Sequence, residues 1–241
     1  MISFVDFAPT LLSLVGVAPK SYMQGQAFLG DHQPKEERKY IHAAADRFDE
    51  VTDAIRAVRD KQFKYIRNYR PNQGYYLPLS YRERMPTMQE LLRLKESDKL
   101  DSIQSQWFRG NKHKEEIYDC KADPDELNNL AENPNYQDKL WELSQEMDRW
   151  LIEIGDDPEL SEKELITQLW GGEESQPKTD DPLVKIENGK INITSNTNGA
   201  SIGYKIIHEN GQVPQSWTIY KEAVDIRKVD SIQVSAHQCK G

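Results

Sequence analysis

His42, Asp46, Arg47, Asp49 and Glu50 form the densest run of side chains in this sequence that could hold or act on a polar ligand. Ala43, Ala44 and Ala45 separate the histidine from the first acid and leave room for close approach. Carboxylates here can accept hydroxyl hydrogens, and the Arg47 guanidinium can grip a carboxylate or sulfate through two parallel hydrogen bonds. The same residues would also suit an ion-paired strand end, and their types alone leave both readings open.

Other reactive groupings are thinner. A hard cation needs several oxygens converging on one point, and Asp156-Asp157 and Asp180-Asp181 offer paired acids. Both pairs precede proline, where turn and cap roles are the expected use. Asp31-His32 reads as a surface pair, and the five histidines show no His-x-x-x-His spacing. Cys120 and Cys239 are the two cysteines, which excludes a disulfide-dense scaffold and a cysteine-based zinc cluster but permits one bridge. Asn192-Ile193-Thr194 matches a glycosylation acceptor and receives no role. No residue is assigned as catalytic and none as a metal ligand.

The chain has 241 residues, 37% of them hydrophobic, and a net charge of −9; its mean hydropathy is −0.80. These values fit two modules better than one large core. Residues 182–241 hold seven Lys or Arg against five Asp or Glu, leaving 24 against 35 in the first 181. Such an acidic surface lacks the basic footprint of a nucleic-acid binder. No apolar run reaches the ~18 residues of a membrane span, and residues 1–20 lack the basic leader of a signal peptide.

The elements that would position these groups follow from periodicity. Asp6 is placed to cap a short helix with Pro9 in its first turn, and Leu11, Leu12, Leu14 and Val15 make it apolar up to Gly16; such a helix needs a partner to bury it. Residues 51–70 alternate as a hairpin turning at Asp60 to Gln62. Residues 71–113 read as a long ordered loop with a helix near Thr87 to Lys95. Asp123, Pro124 and Glu126 have the spacing of a capping box that starts a short helix. Tyr136, Leu140, Leu143, Met147, Trp150 and Ile154 recur at steps of four and three, the clearest amphipathic helix in the chain, ended by Gly155. Residues 156–182, rich in Asp, Gly and Pro around a short helix at Ser161 to Trp170, read as a linker. Short strands at 184–186, 191–194, 200–207, 217–220 and 232–236, spaced by Asn and Gly turns, describe a small antiparallel sandwich. The expected architecture is therefore α+β, a small antiparallel sheet with packed helices over 1–155, then a small antiparallel β-sandwich over 183–241.

Four stretches carry a family resemblance. Val5-Asp6-x-x-Pro9-Thr10-Leu11-Leu12 with Gly25-Gln26-x-Phe28-Leu29, then Ala54 to Arg59 with Phe63 to Tyr69, then Glu116-Ile117-Tyr118-Asp119, then Asp123 to Ala131, occur in order. Together they resemble the C-terminal part of sulfatases, and most the heparan N-sulfatase (N-sulfoglucosamine sulfohydrolase) branch, over residues 3–155. Gly199 to Tyr204 with Trp217 and Tyr220 resemble the small C-terminal β modules of chitobiases and β-hexosaminidases.

The resemblance implies a sulfuric ester or sulfamate hydrolase acting on sulfated glycans, with a formylglycine nucleophile made within Cys or Ser, x, Pro or Ala, x, Arg, and a bound calcium. Cys120-Lys121-Ala122-Asp123-Pro124 lacks the arginine, and Ser175-Gln176-Pro177-Lys178-Thr179 ends in threonine. Both cofactors are thus expected in a missing N-terminal sulfatase domain, which becomes the expected partner, and the chain alone is expected to be inactive. Met1 would then begin a fragment of a periplasmic or secreted enzyme. By the same resemblance the segment from His42 to Glu50 lies near the mouth of the substrate pocket. The alternative is a non-catalytic carbohydrate-binding or interaction module, with Tyr204, Trp217 and Tyr220 offering an aromatic surface to a sugar.

Overall fold

The computed structural model describes residues 1–207, 212–226, 229 and 231–237. Cys239, one half of the possible bridge, lies outside them. The chain divides into two compact units, Met1–Leu160 and Ser161–Gly241.

The first unit is organised by a four-stranded antiparallel meander, β1 (Ile41–Phe48), β2 (Val51–Arg59), β3 (Phe63–Asn68) and β4 (Glu115–Asp119), in that spatial order. Its register places His42 opposite Val58, Val58 opposite Tyr65 and Tyr65 opposite Ile117. Because strand side chains alternate between faces, these four form one row on one face. The amphipathic helix α4 (Gln137–Ile154) lies on that row, and Val58, Tyr65, Ile117, Leu143 and Met147 are fully buried together. Each such side chain contributes roughly 1.5–3 kcal/mol of transfer free energy. Gly155, at φ 67°, closes the helix in the left-handed conformation.

The next row on that face is ionic. Arg56 lies opposite Arg67, and Arg67 opposite Glu115. Arg56 donates to Asp46 at 2.6 Å and to Asp156 at 2.6 Å, and Arg67 donates to Asp148 at 2.5 Å and to Ser144 Oγ at 2.8 Å. Asp156 is therefore an ion-pair partner rather than the turn residue its proline context suggests, while Asp157 takes the turn role by accepting Glu159 N.

The opposite face is covered by the segment between β3 and β4, which contains α2 (Pro86–Glu96) and the single turn α3 (Gln104–Trp107). Glu116, buried on that side, accepts from Asn68 Nδ2, Tyr75 and Tyr118 hydroxyls, and the buried pair Lys112–Asp53 lies among the same elements.

Three local expectations change. Asp6 does not cap α1 (Phe7–Leu14): a 3-10 turn, Phe4–Asp6, precedes the helix and puts Asp6 in helical backbone, so its carboxylate bonds elsewhere. No helix starts at Asp123: Glu126 sits at φ 55°, which breaks any helical run, and the Asp123 carboxylate accepts Asn128 N at 2.8 Å to make a closed turn. The run from His42 to Glu50 is longer than a strand end: it spans the whole of β1, with a register shift between Ala45 and Arg47, and the turn after it, while Asp46 keeps the ion-paired role through Arg56.

The second unit begins with α5 (Glu162–Leu169), started by a true capping box in which Ser161 and Glu164 exchange hydrogen bonds. Two three-stranded antiparallel sheets follow. One orders β5 (Leu183–Glu187), β6 (Lys190–Thr194) and β9 (Val224–Asp225); the other orders β10 (Ser231–His237), β7 (Ser201–Ile207) and β8 (Thr218–Ile219). Ile191 and Ile193 on β6 are buried, and the Tyr220 hydroxyl accepts Ile193 N.

Candidate functional site

A polar cleft of about 580 Å³ opens in the first unit where the lead-in to β1, the C-terminal half of α4 and the loop around Tyr22 to Gln26 meet. That volume suits a ligand of one or two sugar rings. His42 stands at its centre because β1 pairing turns its side chain onto the α4 face. Glu146 and Trp150, one helical turn apart, meet it there. His42 Nε2 is 2.8 Å from Glu146 Oε1, and the imidazole stacks on the Trp150 ring at 4.8 Å and 14°. Burial pushes the His42 pKa down against the raising effect of Glu146, so the ring is held neutral.

The surrounding charges are paired. Arg149 donates to Glu146 through Nε and Nη2 at 2.8 and 2.7 Å and to Glu153 at 2.7 Å. Burial alone would raise the Glu146 carboxyl, but the Arg149 and His42 hydrogen bonds prevail and hold it below the usual range. Beside the cleft, Lys139, Tyr40 and Lys39 all bond Glu142 and pull its carboxyl down to about 2.

Arg38 forms the far wall and reaches back to the N-terminal helix. It grips Asp6 with two 2.7 Å bonds, while the same carboxylate accepts Ser3 N at 2.7 Å and Gln26 N at 2.8 Å. Thr10 Oγ1 takes Phe28 N and Ser13 Oγ takes His32 N, so the loop after α1 folds onto the polar side of the helix. Gly25 permits this: a Cβ there would meet the Val5 carbonyl oxygen at 1.8 Å. The apolar side is left outward, with Phe4 90%, Leu11 66% and Val15 72% exposed.

The residues singled out in the sequence are not one cluster. His42 lies in the cleft, whereas Asp46 is bound to Arg56 and the rest sit at the β1–β2 turn, some 20 Å along the strand at about 3.3 Å per residue. There Arg47 Nε donates to the Asp49 carbonyl at 2.8 Å, Asp49 adopts φ 46° to make the turn, and Glu50 accepts Ser80 N at 2.8 Å. The sequence does not reveal Glu146 as the partner of His42, nor Arg149 and Arg38 as the charges that line the same cleft. The four-residue step from Glu146 to Trp150 was the available signal, but it pointed to the core.

The arrangement offers groups suited to recognition. Neutral imidazole, tryptophan and paired guanidinium groups can contact a sugar or an anion, and none is an activated nucleophile. The donors do not fit a calcium ion either: among the described residues, no three His, Cys, Asp or Glu side chains converge as a metal site. Asp156 is spent on Arg56, and Cys120, half-buried with a thiol pushed up chiefly by burial, has no arginine of the formylglycine pattern beside it. Among the described residues, no helix is long and apolar enough to cross a membrane.

No family model matches the chain. An ulvan-active sulfatase of Formosa agariphila is 60% identical over 238 residues, which is 99% of this chain and 40% of that protein. A second ulvan-active sulfatase of the same organism is 27% identical over 173 residues, 65% of this chain and 30% of that protein. Among solved structures, a protein of Bacteroides thetaiotaomicron assigned as a sulfatase is 25% identical with a TM-score of 0.41, over 63% of this chain and 25% of that one. Another, solved with its substrate D-glucosamine-2-N,6-O-disulfate, is 24% identical with a TM-score of 0.42, over 65% and 25%. The chain thus spans well under half the length of the curated relatives it matches, and along nearly its whole length it is a homologue of part of a sulfatase.

Proposed function

We propose that this chain is the C-terminal part of an exported sulfatase that hydrolyses sulfate esters on a sulfated polysaccharide of the ulvan type. The 60% identity across 99% of the chain to an ulvan-active sulfatase carries this reading. The formylglycine nucleophile and calcium belong to the remaining part of the enzyme, and the chain by itself has no turnover. The outward face of α1 supports a docked catalytic part: exposed Phe4, Leu11 and Val15 are the kind of apolar patch that a protein interface covers.

In that assembly His42, backed by Glu146 and Trp150, lines one cleft, and Arg47 and Glu50, apart from it at the β1–β2 turn, form the mouth of the substrate pocket and meet sulfate and hydroxyl groups. Asp49 shapes the turn, and Asp46 acts by fixing Arg56. The test is turnover of sulfated ulvan oligosaccharides by the complete enzyme with Arg47→Ala and Glu50→Ala. A loss of tenfold or more in kcat/KM is expected; unchanged turnover removes both residues from the pocket. An N-sulfated glucosamine run in parallel separates sulfate-ester from sulfamate cleavage, the activity of the branch that the motifs resemble most. This chain alone, mixed with p-nitrophenyl sulfate and calcium, should release no nitrophenol; release would overturn the division of labour.

A second reading, carbohydrate binding by the β module, is favoured by one observation. Trp217 is 44% exposed, with the Lys205 ammonium 5.0 Å from its ring centre. Quenching of Trp217 fluorescence by a sugar would support it.

A further inference from the structure

A second cleft, of about 600 Å³, lies in the first unit between the segment around α3 and the turn that follows β4. Tyr118 lines it, and by strand alternation Tyr118 points to the face opposite Ile117, away from the His42 cleft. The two clefts are therefore on opposite sides of the sheet.

Its two walls differ in charge. Gln106, Trp107, Arg109 and His113 come from one side, with no acid among them; Asp125, Asn128 and Glu132 come from the other. Around His42 every cation already holds a carboxylate. Here, among the described residues, the backbones of Arg109 and His113 are hydrogen-bonded, to Gln106 and Asn68, but the Arg109, His113, Asp125 and Glu132 side chains form no ion pair with one another, although opposite charges line the same cleft. Side chains of opposite sign that line one cleft without meeting leave a gap wide enough for a ligand to bridge.

The floor is aromatic and rigid. Trp107 is half-buried, held by Tyr76 at 5.5 Å edge-on, by Phe108 at 5.6 Å and by the Arg82 guanidinium, which lies over the ring 5.6 Å from its centre. Tyr75 beside it is fixed through its hydroxyl to Glu116 at 2.9 Å, and its own pKa is pushed up to about 12 by burial and that carboxylate. An immobilised indole gives the apolar face of a pyranose ring a platform without an ordering cost, as aromatic side chains do at recognition surfaces. Carboxylates and amides opposite accept and donate to hydroxyls, and the free guanidinium binds a planar or tetrahedral anion.

We propose that this cleft is a saccharide-binding site separate from the pocket of the proposed sulfatase, and that it takes a sugar bearing an anionic substituent. The ring stacks on Trp107, the anion is met by Arg109 with His113, and hydroxyls are met by Asn128 and Glu132. The site deepens the sulfatase reading, since a chain-like substrate could be held there while being cleaved elsewhere, but its test does not depend on turnover.

The test uses the 241-residue chain in native affinity electrophoresis through gels containing ulvan, with chemically desulfated ulvan and carboxyl-reduced ulvan as parallel gels. Retardation by ulvan is expected, weakened at least fivefold in apparent Kd by Arg109→Ala and by Trp107→Phe, with folding checked by circular dichroism. Arg93→Ala, which removes an exposed ion pair with Glu90, is the control and should bind as the parent does. Loss of retardation in one of the two modified polymers names sulfate or carboxylate as the anion. Absence of retardation by ulvan, unchanged binding by Arg109→Ala, or equal binding of a polymer stripped of both anions overturns the proposal. A peptide-binding cleft would give the first of these results. Failure of the turnover assay with intact binding here would overturn the sulfatase reading alone.

Discussion

Replacing Asp6 with asparagine should unseat the N-terminal segment and destabilise the first unit by about 3 kcal/mol. The carboxylate is only 2% exposed and accepts four hydrogen bonds, two from Arg38 and one each from Ser3 N and Gln26 N. Asparagine keeps the shape, but its amide nitrogen cannot accept, so two donors lose their partner and Arg38 loses its counter-charge. Breaking a buried pair costs about 3–5 kcal/mol, and Arg38, slightly exposed, recovers some water, which sets the lower end. For a unit of this size, each kcal/mol moves Tm by about 2–4 °C, so a drop of about 6–12 °C is expected. Calorimetry gives the transition, and hydrogen exchange at Val58 and Tyr65 assigns it to the first unit. Burial alone would raise the Asp6 pKa, but the Arg38 and backbone hydrogen bonds outweigh it and the net shift is downward. The stabilisation is therefore complete above the unfolded pKa, about 3.9, and lost as pH falls through the lower folded value. The gap between parent and variant should close below about pH 4. A Tm drop under about 2 °C at pH 7, or a gap that widens into acid, would refute the reasoning.

Met147→Ala should cost about 2–5 kcal/mol in urea unfolding, because a fully buried side chain in the α4–sheet core is replaced by a cavity. Lys112→Met should cost about 3–5 kcal/mol by leaving Asp53 buried alone, and the double change Lys112→Met with Asp53→Leu should recover much of it. Gly155→Ala should lose about 1 kcal/mol or more, since alanine is strained at φ 67°. The His42 imidazole, followed by NMR, should titrate with a midpoint below 6.5; its contribution to stability is present above the unfolded pKa and lost as pH falls through the folded one.

Where sequence reading succeeded, one period dominated. The stripe from Leu140 to Ile154 fits only a helix, and Val51 to Asn68 alternates on both sides of a polar turn, so α4, β2 and β3 were legible. β1 was not. Three alanines with the charged Asp46 and Arg47 carry little strand propensity, and the segment is extended because β2 offers it a hydrogen-bonding edge. Asp123-Pro124-x-Glu126 has the composition of a helix start, yet capping chemistry equally serves a turn, and here the carboxylate reaches Asn128. The candidate site was half legible for the same reason. His42 stood out locally, but Glu146 is 104 residues away and only the packing of α4 on the sheet brings it to 2.8 Å.

The apolar residues of α1 were visible in the sequence; the direction they face was not. A short helix resting on a protein would normally roll its leucines inward. This one is prevented by polar bonds: Asp6, Thr10 and Ser13 are buried, and each holds a backbone N–H of the loop from Gln26 to His32. Rolling α1 by half a turn would bury Phe4, Leu11 and Val15 but orphan those donors, at roughly 1–3 kcal/mol for each unsatisfied group. Added to the about 3–5 kcal/mol for breaking the buried Asp6–Arg38 pair, that cost, summed over three groups, exceeds the gain of roughly 4.5–9 kcal/mol from burying Phe4, Leu11 and Val15 together. The outward face is thus fixed by hydrogen bonding within the unit. The first unit carries its own means of presenting Phe4, Leu11 and Val15, and the Asp6 substitution would loosen that presentation.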